Sequence, residues 1–253
     1  MIVNFKNKKI LVTGSSKGIG LGICKTLINE GNKVILTGSN IENINKARRI
    51  MGNKRAFYFC SDLTVSKNID KLTEFTKSKF NNLDLLVCNL GSGKYISPNK
   101  NDILEWKRLF EINFWSAFET INKSAKLLKK NKGSIICISS IVGSYNISGA
   151  PLAYSCAKSV LNKFVKNSVV NFSKFGIRIN IISPGNILFK GSTWDKKLKE
   201  NRSITKKYIK NNVPLNKFGQ IDDITSMIIY LASDNAKFIT GSEFIIDGGQ
   251  TKL

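Results

Sequence analysis

Short apolar runs alternate along the chain with longer segments in which apolar and polar residues are mixed. The runs predict seven strands, at residues 10–12, 34–37, 55–60, 83–88, 134–139, 178–183 and 244–247. The mixed segments predict one helix that ends at Gly31. They predict further helices at 41–50, 66–80, 101–130 (one helix or two), 152–175 and 222–232. Strands that are apolar at nearly every position are typical of a parallel sheet with helices on both faces. The predicted fold class is therefore α/β, with a doubly wound parallel sheet of about seven strands.

The same pattern predicts one domain over residues 1–253, because no linker and no internal repeat interrupts it. Ser66 is a candidate N-cap, and Gly176 follows the helix at 152–175. The polar, lysine-rich stretch at 190–217 predicts a substrate lid at about 189–214. Ligands of such sheets bind at the carboxyl ends of the strands. Candidate site residues therefore lie at 14–20, 38–39, 61–62, 89–91, 139–140 and 184–185.

The turn after the first strand carries the first sign of a ligand. Residues 13–20 read TGSSKGIG and lead into a helix. Glycine allows positive φ and a close approach of a ligand to the backbone, and a helix N-terminus favours a phosphate. The spacing G-x-x-x-G-x-G thus predicts a Rossmann-type dinucleotide-binding turn. Its members are Gly14, Ser15, Ser16, Lys17, Gly18, Ile19 and Gly20.

Composition removes several classes of chemistry. The chain has no histidine, which excludes Ser-His-Asp and Cys-His catalysis and any histidine metal site. Its five cysteines show neither C-x-x-C nor metal-ligand spacing, so reduced structural thiols and no metal site are expected. A general acid or base must then be Tyr, Lys, Asp, Glu or Cys.

The net charge of +23 favours either an anionic partner or a lysine-rich composition spread over solvated faces. The basic residues are dispersed, with the densest clusters at 126–132 and 196–199 and no interleaved aromatic residues. Nucleic-acid binding is therefore not expected. No apolar run is long enough to span a membrane, and the N-terminus leaves no room for a signal peptide before the first strand. We expect a cytoplasmic protein without a membrane partner.

Three residues form a candidate catalytic set. Tyr154 and Lys158 are four residues apart at the start of a predicted helix, which places them on one face. A neighbouring cation lowers the pKa of a phenol. Ser140 ends the fifth strand and brings a hydroxyl to the same crevice. A Ser and a Tyr hydroxyl side by side can bind one carbonyl oxygen.

With these motifs in this order, nearly the whole chain resembles the short-chain dehydrogenase/reductase family in its compact form. The matching pieces are the glycine turn, Asp62-Leu63-Thr64, Asn89-x-Gly91, Asn113, Ser140, Tyr154-x-x-x-Lys158, Pro184-Gly185, and the segments at 231–234, 238–241 and 247–249. The resemblance implies hydride transfer between a nicotinamide and a carbonyl or secondary alcohol. Tyr154 would be the general acid or base, and Lys158 would lower its pKa and hold the nicotinamide ribose. Ser140 would polarise the carbonyl, and Asn113 would position a water that links Lys158 to solvent.

The resemblance also implies the coenzyme contacts. Beyond the glycine turn, they would involve Ser39, Asp62, Leu63, Asn89, Gly91, Tyr154, Lys158, Pro184, Gly185 and Ile187. Asp62 would bind the adenine, Asn89 and Gly91 would flank the adenosine ribose, and the backbone of Ile187 would meet the nicotinamide amide. The second strand ends in TGSN without the carboxylate that usually grips the ribose of NAD. With Lys17 and Ser39 in reach of a 2′-phosphate, NADP(H) is favoured, and NAD(H) stays an alternative.

Two segments depart from the family pattern. The usual Asn-Asn-Ala-Gly is Cys88-Asn89-Leu90-Gly91 here, and Phe189 stands where the family often has a threonine that contacts the coenzyme. Ser192 or Thr193 could replace that threonine only if the loop folds back. Tyr95, Tyr145, Phe189 and Trp194 are candidates for the substrate pocket.

The substrate stays open between alternatives. The first is a 3-oxoacyl thioester on acyl carrier protein, and the second is a sugar or other polyol in surface-polysaccharide synthesis. A binder of nucleic acid or a scaffold, catalytically idle, is the remaining alternative, against which the intact Ser140, Tyr154 and Lys158 argue. A homotetramer is expected from the resemblance, with the helices at 101–130 and 152–175 at one interface.

Overall fold

Parallel strands form the centre of the molecule. The computed structural model describes residues 5–52, 55–97, 99 and 102–252. Within these ranges a seven-stranded sheet has the order β3-β2-β1-β4-β5-β6-β7, with every pair parallel. The strands are β1 (Lys9–Val12), β2 (Lys33–Gly38), β3 (Ala56–Cys60), β4 (Leu85–Cys88), β5 (Ser134–Ile138), β6 (Arg178–Pro184) and β7 (Glu243–Ile246). The predicted strands are confirmed, with ends that differ by at most two residues.

Helices connect the strands and cover both faces. They are α1 (Gly18–Asn29), α2 (Ile41–Met51), α3 (Ser66–Phe80), α4 (Ile103–Phe110), α5 (Ser116–Lys129), α6 (Leu152–Ser173), α7 (Thr193–Glu200), α8 (Arg202–Asn212) and α9 (Ile221–Ala232). One apolar core packs α3, α5 and α6 on the sheet, and a second core packs α1 and α9 on the opposite face. The doubly wound α/β fold is thus confirmed. None of the helices in the described ranges combines the length and apolar composition needed to cross a membrane.

Three local features differ from the expectation. The N-cap of α3 is Val65, not Ser66, whose hydroxyl instead donates to Glu119 and accepts from Lys123. The stretch predicted as one or two helices at 101–130 contains α4 and α5 joined by a π turn at Glu111–Trp115, and residue 101 itself lies outside the described residues. The polar stretch after β6 folds into α7 and α8, each capped by a side chain, Ser192 and Asn201.

Candidate active site

A cavity of about 770 Å³ opens at the carboxyl ends of the strands. Its walls come from the turns after β1, β2, β4, β5 and β6 and from the N-terminal turns of α6 and α7. The predicted site residues among its lining are Gly14, Ser16, Lys17, Gly18, Ile19, Gly20, Ser39, Asn89, Gly91, Ser140, Tyr154, Lys158, Pro184, Gly185 and Ile187. The topology therefore brings together residues that lie up to 173 positions apart in the chain.

Ser140, Tyr154 and Lys158 meet at the centre of this cavity. Ser140 caps the one-turn helix at Ile141–Gly143, where its Oγ accepts from the Val142 N–H at 3.4 Å, and it lines the same cavity as Tyr154. Lys158 is 2% exposed and its Nζ donates to the Ile138 carbonyl at 2.9 Å. The same Nζ lies 5.8 Å from the centre of the Tyr154 ring. Two hydroxyls and one ammonium thus face a common space.

Burial dominates the protonation of this set. It raises the pKa of Tyr154 above its ordinary value, and the hydrogen bond with Ser140 lowers that pKa by a smaller amount. The expectation that Lys158 brings the Tyr154 pKa below its ordinary value is therefore not met in the chain alone. Burial also lowers the pKa of Lys158 to about 8, because an ammonium loses its hydration in the protein interior.

Asn113 lies in the π turn and is fully buried outside the cavity lining. Its carboxamide clamps Ser92, since Oδ1 accepts from the Ser92 N–H at 3.0 Å and Nδ2 donates to the Ser92 carbonyl at 2.9 Å. A Cβ on Gly91 would lie 2.7 Å from Asn113 Oδ1 and 3.1 Å from Lys158 Nζ. A side chain at position 91 would therefore displace Asn113 or Lys158.

The glycine turn is shaped to receive a group close to its backbone. Gly14 has φ +59°, and a Cβ there would lie 2.8 Å from Leu90 Cα. Asn89 braces the turn, because its Nδ2 donates to the carbonyls of Thr13 and Gly14, both at 3.0 Å. These contacts and the N-terminus of α1 fit the pyrophosphate of a dinucleotide. Asn89 thus has a supporting role that its predicted place beside a ribose did not anticipate.

Ser15 is a correction to the predicted coenzyme contacts. It is fully buried, and its N–H donates to the Thr37 carbonyl at 2.8 Å. Its hydroxyl donates to the Val12 carbonyl at 2.6 Å and accepts from the Thr37 N–H at 2.9 Å. Because both of its donors are used between β1 and β2, Ser15 holds the turn and does not face the cavity.

A second cavity of about 220 Å³ adjoins the glycine turn. Ser39, Asp62 and Leu63 line it, as expected for an adenine site. Asp62 Oδ1 accepts from both the N–H and the hydroxyl of Thr64, at 2.9 and 2.8 Å. Arg108 of α4 also lines this cavity and was not predicted, since its helix position alone does not indicate which strand end it reaches.

The segment after β6 does fold back over the cavity. The Phe189 ring packs on Gly18, so that a Cβ on Gly18 would lie 3.2 Å from Cε2 of that ring. Ser192 Oγ is used as the N-cap of α7, where it accepts from the Asp195 N–H at 3.0 Å. Thr193 and Trp194 also line the cavity. Thr193 is therefore better placed than Ser192 to replace the missing family threonine.

The four candidate aromatic residues divide into two pairs. Phe189 and Trp194 line the cavity, and Trp194 stacks on Tyr208 with ring centres 5.2 Å apart. Tyr95 and Tyr145 are not among the lining residues described. The Tyr95 hydroxyl accepts from the Ala153 N–H at 3.2 Å, and Lys252 Nζ lies over the Tyr145 ring at 5.9 Å. Tyr95 therefore supports the start of α6 behind the cavity.

Comparisons with known proteins agree with this geometry. The sequence profile of the family described as Enoyl-(Acyl carrier protein) reductase matches residues 14–251. The 3-oxoacyl-acyl-carrier-protein reductase FabG of Buchnera aphidicola subsp. Acyrthosiphon pisum is 31% identical over 252 residues and covers 98% of both chains. Dehydrogenase/reductase SDR family member 4 of Caenorhabditis elegans is 30% identical over 255 residues, which are 97% of this chain and 95% of that protein.

Solved structures give the same answer. L-Sorbose reductase from Gluconobacter frateurii, in complex with NADPH and L-sorbose, superposes with a TM-score of 0.91 at 25% identity over the full length of both chains. The profile, the full-length relatives and the sheet order all point to one family of oxidoreductases. The chain therefore belongs to the short-chain dehydrogenase/reductase family.

Proposed function

We propose that this protein is an NADP(H)-dependent oxidoreductase that interconverts a carbonyl and a secondary alcohol. The observation that carries the proposal is the presence of the Ser140 and Tyr154 hydroxyls, with Lys158 buried beside them, in the cavity that also contains the glycine turn. A phenol, a second hydroxyl and an ammonium are the groups needed to bind a carbonyl oxygen and move one proton.

Each residue has a defined task. In reduction, the Ser140 hydroxyl donates a hydrogen bond to the substrate oxygen and the Tyr154 hydroxyl transfers its proton to it. In oxidation, Tyr154 Oη takes the proton back. Lys158 stabilises the phenolate form of Tyr154 by its charge, and Asn113 fixes the backbone next to Gly91, against which Lys158 packs. A bound nicotinamide coenzyme supplies or accepts the hydride.

The coenzyme would lie along the carboxyl ends of the strands. Gly14, Gly18 and Gly20 and the N-terminus of α1 would hold its pyrophosphate, and Asp62 and Leu63 would border its adenine. Lys17 and Ser39 line the same cavity, which favours NADP(H), and NAD(H) stays the alternative. Pro184, Gly185 and Ile187 form the wall at the nicotinamide end.

For the substrate, we put a 3-oxoacyl thioester first. The FabG relative named above supports this choice, and the charge of +23 suits an acidic carrier protein. A sugar or polyol is the second candidate. The likeness to L-sorbose reductase supports it. So does Trp194, whose aromatic ring lines the cavity. Trp194 belongs to the proposed substrate lid, which residues 189–214 form over the single domain.

The test is a panel of 3-oxoacyl thioesters and keto-sugars assayed with NADPH, comparing the wild type with Tyr154→Phe. We expect the variant to lose roughly 10²- to 10⁴-fold in kcat while its NADPH Kd changes by less than about twofold. Tyr230→Phe, in a partly buried tyrosine on α9, is the matched control. Full activity of Tyr154→Phe refutes the proton-transfer assignment.

The same panel distinguishes an oxidoreductase from a catalytically idle binder. An idle binder shows no turnover with any carbonyl, and filter binding of nucleic acid at two salt concentrations then reveals salt-dependent retention. Turnover that depends on Tyr154 excludes the idle binder.

A further inference from the structure

A largely shielded carboxylate lies outside the set of residues proposed to react. Glu243 begins β7, and its side chain is only 10% exposed. It accepts hydrogen bonds from three other elements. Ser183 Oγ of β6 donates to Oε1 at 2.7 Å, Asn162 Nδ2 of α6 donates to Oε1 at 3.1 Å, and Ser144 Oγ, just after β5, contacts both oxygens at 2.8 and 2.9 Å.

The contact with Ser144 connects Glu243 to Ser140. Ser144 is the C-cap of the one-turn helix at Ile141–Gly143, and Ser140 is its N-cap. A five-residue segment therefore carries the reacting hydroxyl at one end and the contact with Glu243 at the other. Fixing Ser144 fixes the direction in which this segment leaves β5.

The contact with Asn162 connects Glu243 to Lys158. Asn162 is one turn after Lys158 on α6, and its Nδ2 donates to Ser144 Oγ at 2.9 Å as well as to Glu243. Gly143 closes the gap, since a Cβ there would lie 3.0 Å from the Lys158 carbonyl carbon and 3.0 Å from Asn162 Nδ2. The segment after β5 and the turn of α6 that carries Lys158 thus touch directly.

Removing the Glu243 carboxylate from water costs more free energy than removing an apolar side chain from water would. A buried carboxylate is an acceptor that must be satisfied by donors, and an apolar group of similar size would avoid its desolvation. The donors converging on Glu243 are hydroxyls and an amide from separate elements, with Lys166 at 3.2 Å on the solvent side. Such a hub fixes the relative position of the elements that it joins.

We propose that Glu243 is a positioning residue that holds Ser140 in register with Tyr154 and Lys158 of α6. The proposal rests on the function proposed above. Glu243 acts through Ser144 and Asn162, since its own bonds are to these neighbours. A misplacement of a reacting group by about 1 Å can cost about 10²-fold in rate.

The test compares Glu243→Ala, Ser144→Ala and the control Lys166→Met. We expect Glu243→Ala to lower kcat by roughly 10- to 100-fold and Ser144→Ala by roughly fivefold, with NADPH Kd within about twofold of the wild type. Lys166→Met removes only the solvent-side contact, from a side chain that is 48% exposed, and leaves kcat unchanged.

The pH profile separates positioning from stability. The hydrogen bond with Ser140 lowers the pKa of Tyr154, so loosening Ser140 raises that pKa. In oxidation Tyr154 must be deprotonated, and the rising limb of the rate therefore moves to higher pH. A Glu243→Ala protein that melts at lower temperature but keeps its kcat and its pH profile overturns the proposal.

A titration that needs no turnover completes the test. The absorbance of ionised tyrosine is followed with pH in the wild type, in Glu243→Ala and in each protein carrying Tyr154→Phe, so that the difference isolates Tyr154. We expect the Tyr154 pKa to be higher in Glu243→Ala, and an unchanged pKa overturns the proposal even if no substrate is found. If Glu243→Ala does not fold, Ser144→Ala gives the same two readouts. A wild type without turnover refutes only the proposed function.

Discussion

Lys158 keeps an amine in the protein interior with the Ile138 carbonyl as its acceptor. This buried position suits an ammonium that acts on a neighbouring phenol, because electrostatic interactions are stronger where water is excluded. It also carries a cost, since burial lowers the pKa of Lys158 to about 8. The cost appears in the pH dependence of stability.

Lys158→Met should reveal that dependence. Between about pH 8 and pH 10.5 the unfolded chain holds this proton more tightly than the folded one, so the free energy of unfolding of the wild type rises with pH. The variant lacks this gain. Its stability relative to the wild type therefore falls by roughly 3 kcal/mol over the interval, measured by urea unfolding at several pH values. Lys163→Met, at an exposed position on α6, should show no such trend, and a flat difference for Lys158→Met contradicts the prediction.

We expect the coenzyme preference to depend on Lys17. It precedes α1, lines the main cavity and is expected to pair with a 2′-phosphate. Lys17→Ala should weaken NADPH binding roughly tenfold and NADH binding far less, as measured by fluorescence titration. Lys25→Ala, at an exposed position on the same helix, is the control. Tighter binding of NADH than of NADPH by the wild type overturns the argument.

That Ser140, Tyr154 and Lys158 share one cavity could be predicted, because their signals are local. Tyr154 and Lys158 are one helical turn apart, and Ser140 ends an apolar strand. Glu243 and Arg108 could not be predicted, because their importance comes from contacts over long stretches of sequence, such as that of Glu243 with Ser144. Ser15 was assigned to the coenzyme because the motif alone does not tell which members of a turn face inward.

At the scale of elements, α4 holds the segment that follows β4. Glu105 accepts from the Ile96 N–H at 2.8 Å and from Arg108, and Arg108 Nη2 donates to the Lys94 carbonyl at 2.7 Å. A Cβ on Gly93 would lie 3.3 Å from the Tyr154 ring. The Glu105–Arg108 pair on α4 therefore supports the segment that packs against the Tyr154 ring.

Glu105→Gln should weaken this support in a pH-dependent way. The hydrogen bond from Arg108 lowers the pKa of Glu105 to about 2, against 4.5 for the free group. The stabilisation is thus complete above about pH 4.5 and is lost as the pH falls towards 2. Urea unfolding should show the variant to be less stable at pH 7, with the difference shrinking below pH 4.5. Glu74→Gln, at an exposed position on α3, serves as the control, and a difference that persists unchanged at pH 3 contradicts the prediction.

The order and type of the elements followed from periodicity, but the lid helices did not. The strands are continuous apolar runs, which the sequence displays without any tertiary information. In contrast, α7 has no buried residue and α8 buries only Thr205 and Ile209, so neither shows an apolar stripe. The π turn also has no local signature, because it arises where Asn113 is drawn inward to Ser92.

At the scale of the whole molecule, some of the exposed apolar side chains lie where we expect copies of the chain to meet. Ile103, Leu104 and Trp115 are exposed on α4 and the π turn, and Leu152 and Val170 are exposed on α6. These are the two helical stretches that we expect at an interface of a homotetramer. Association would remove this surface from water.

Light scattering at micromolar concentration should give a mass of four times 28.2 kDa. Val170→Glu places a charge on the proposed interface and should reduce the mass to that of a smaller assembly. Ile204→Glu, at an exposed position on α8 away from this surface, should leave the tetramer intact. A wild type that is monomeric rejects the proposed assembly.

The position of β1 between β2 and β4 has a consequence for how such a protein can diversify. The ends of β2 and β3, on one side of β1, line the cavity of about 220 Å³, where we propose that the adenosine half of the coenzyme binds. The ends of β5 and β6, on the other side, line the part of the main cavity that contains Ser140. Selection can therefore alter the nucleotide preference through residues 15–64 and the choice of carbonyl compound through residues 140–214, each in separate steps. A laboratory library divided at the same point would let the two traits be recombined freely.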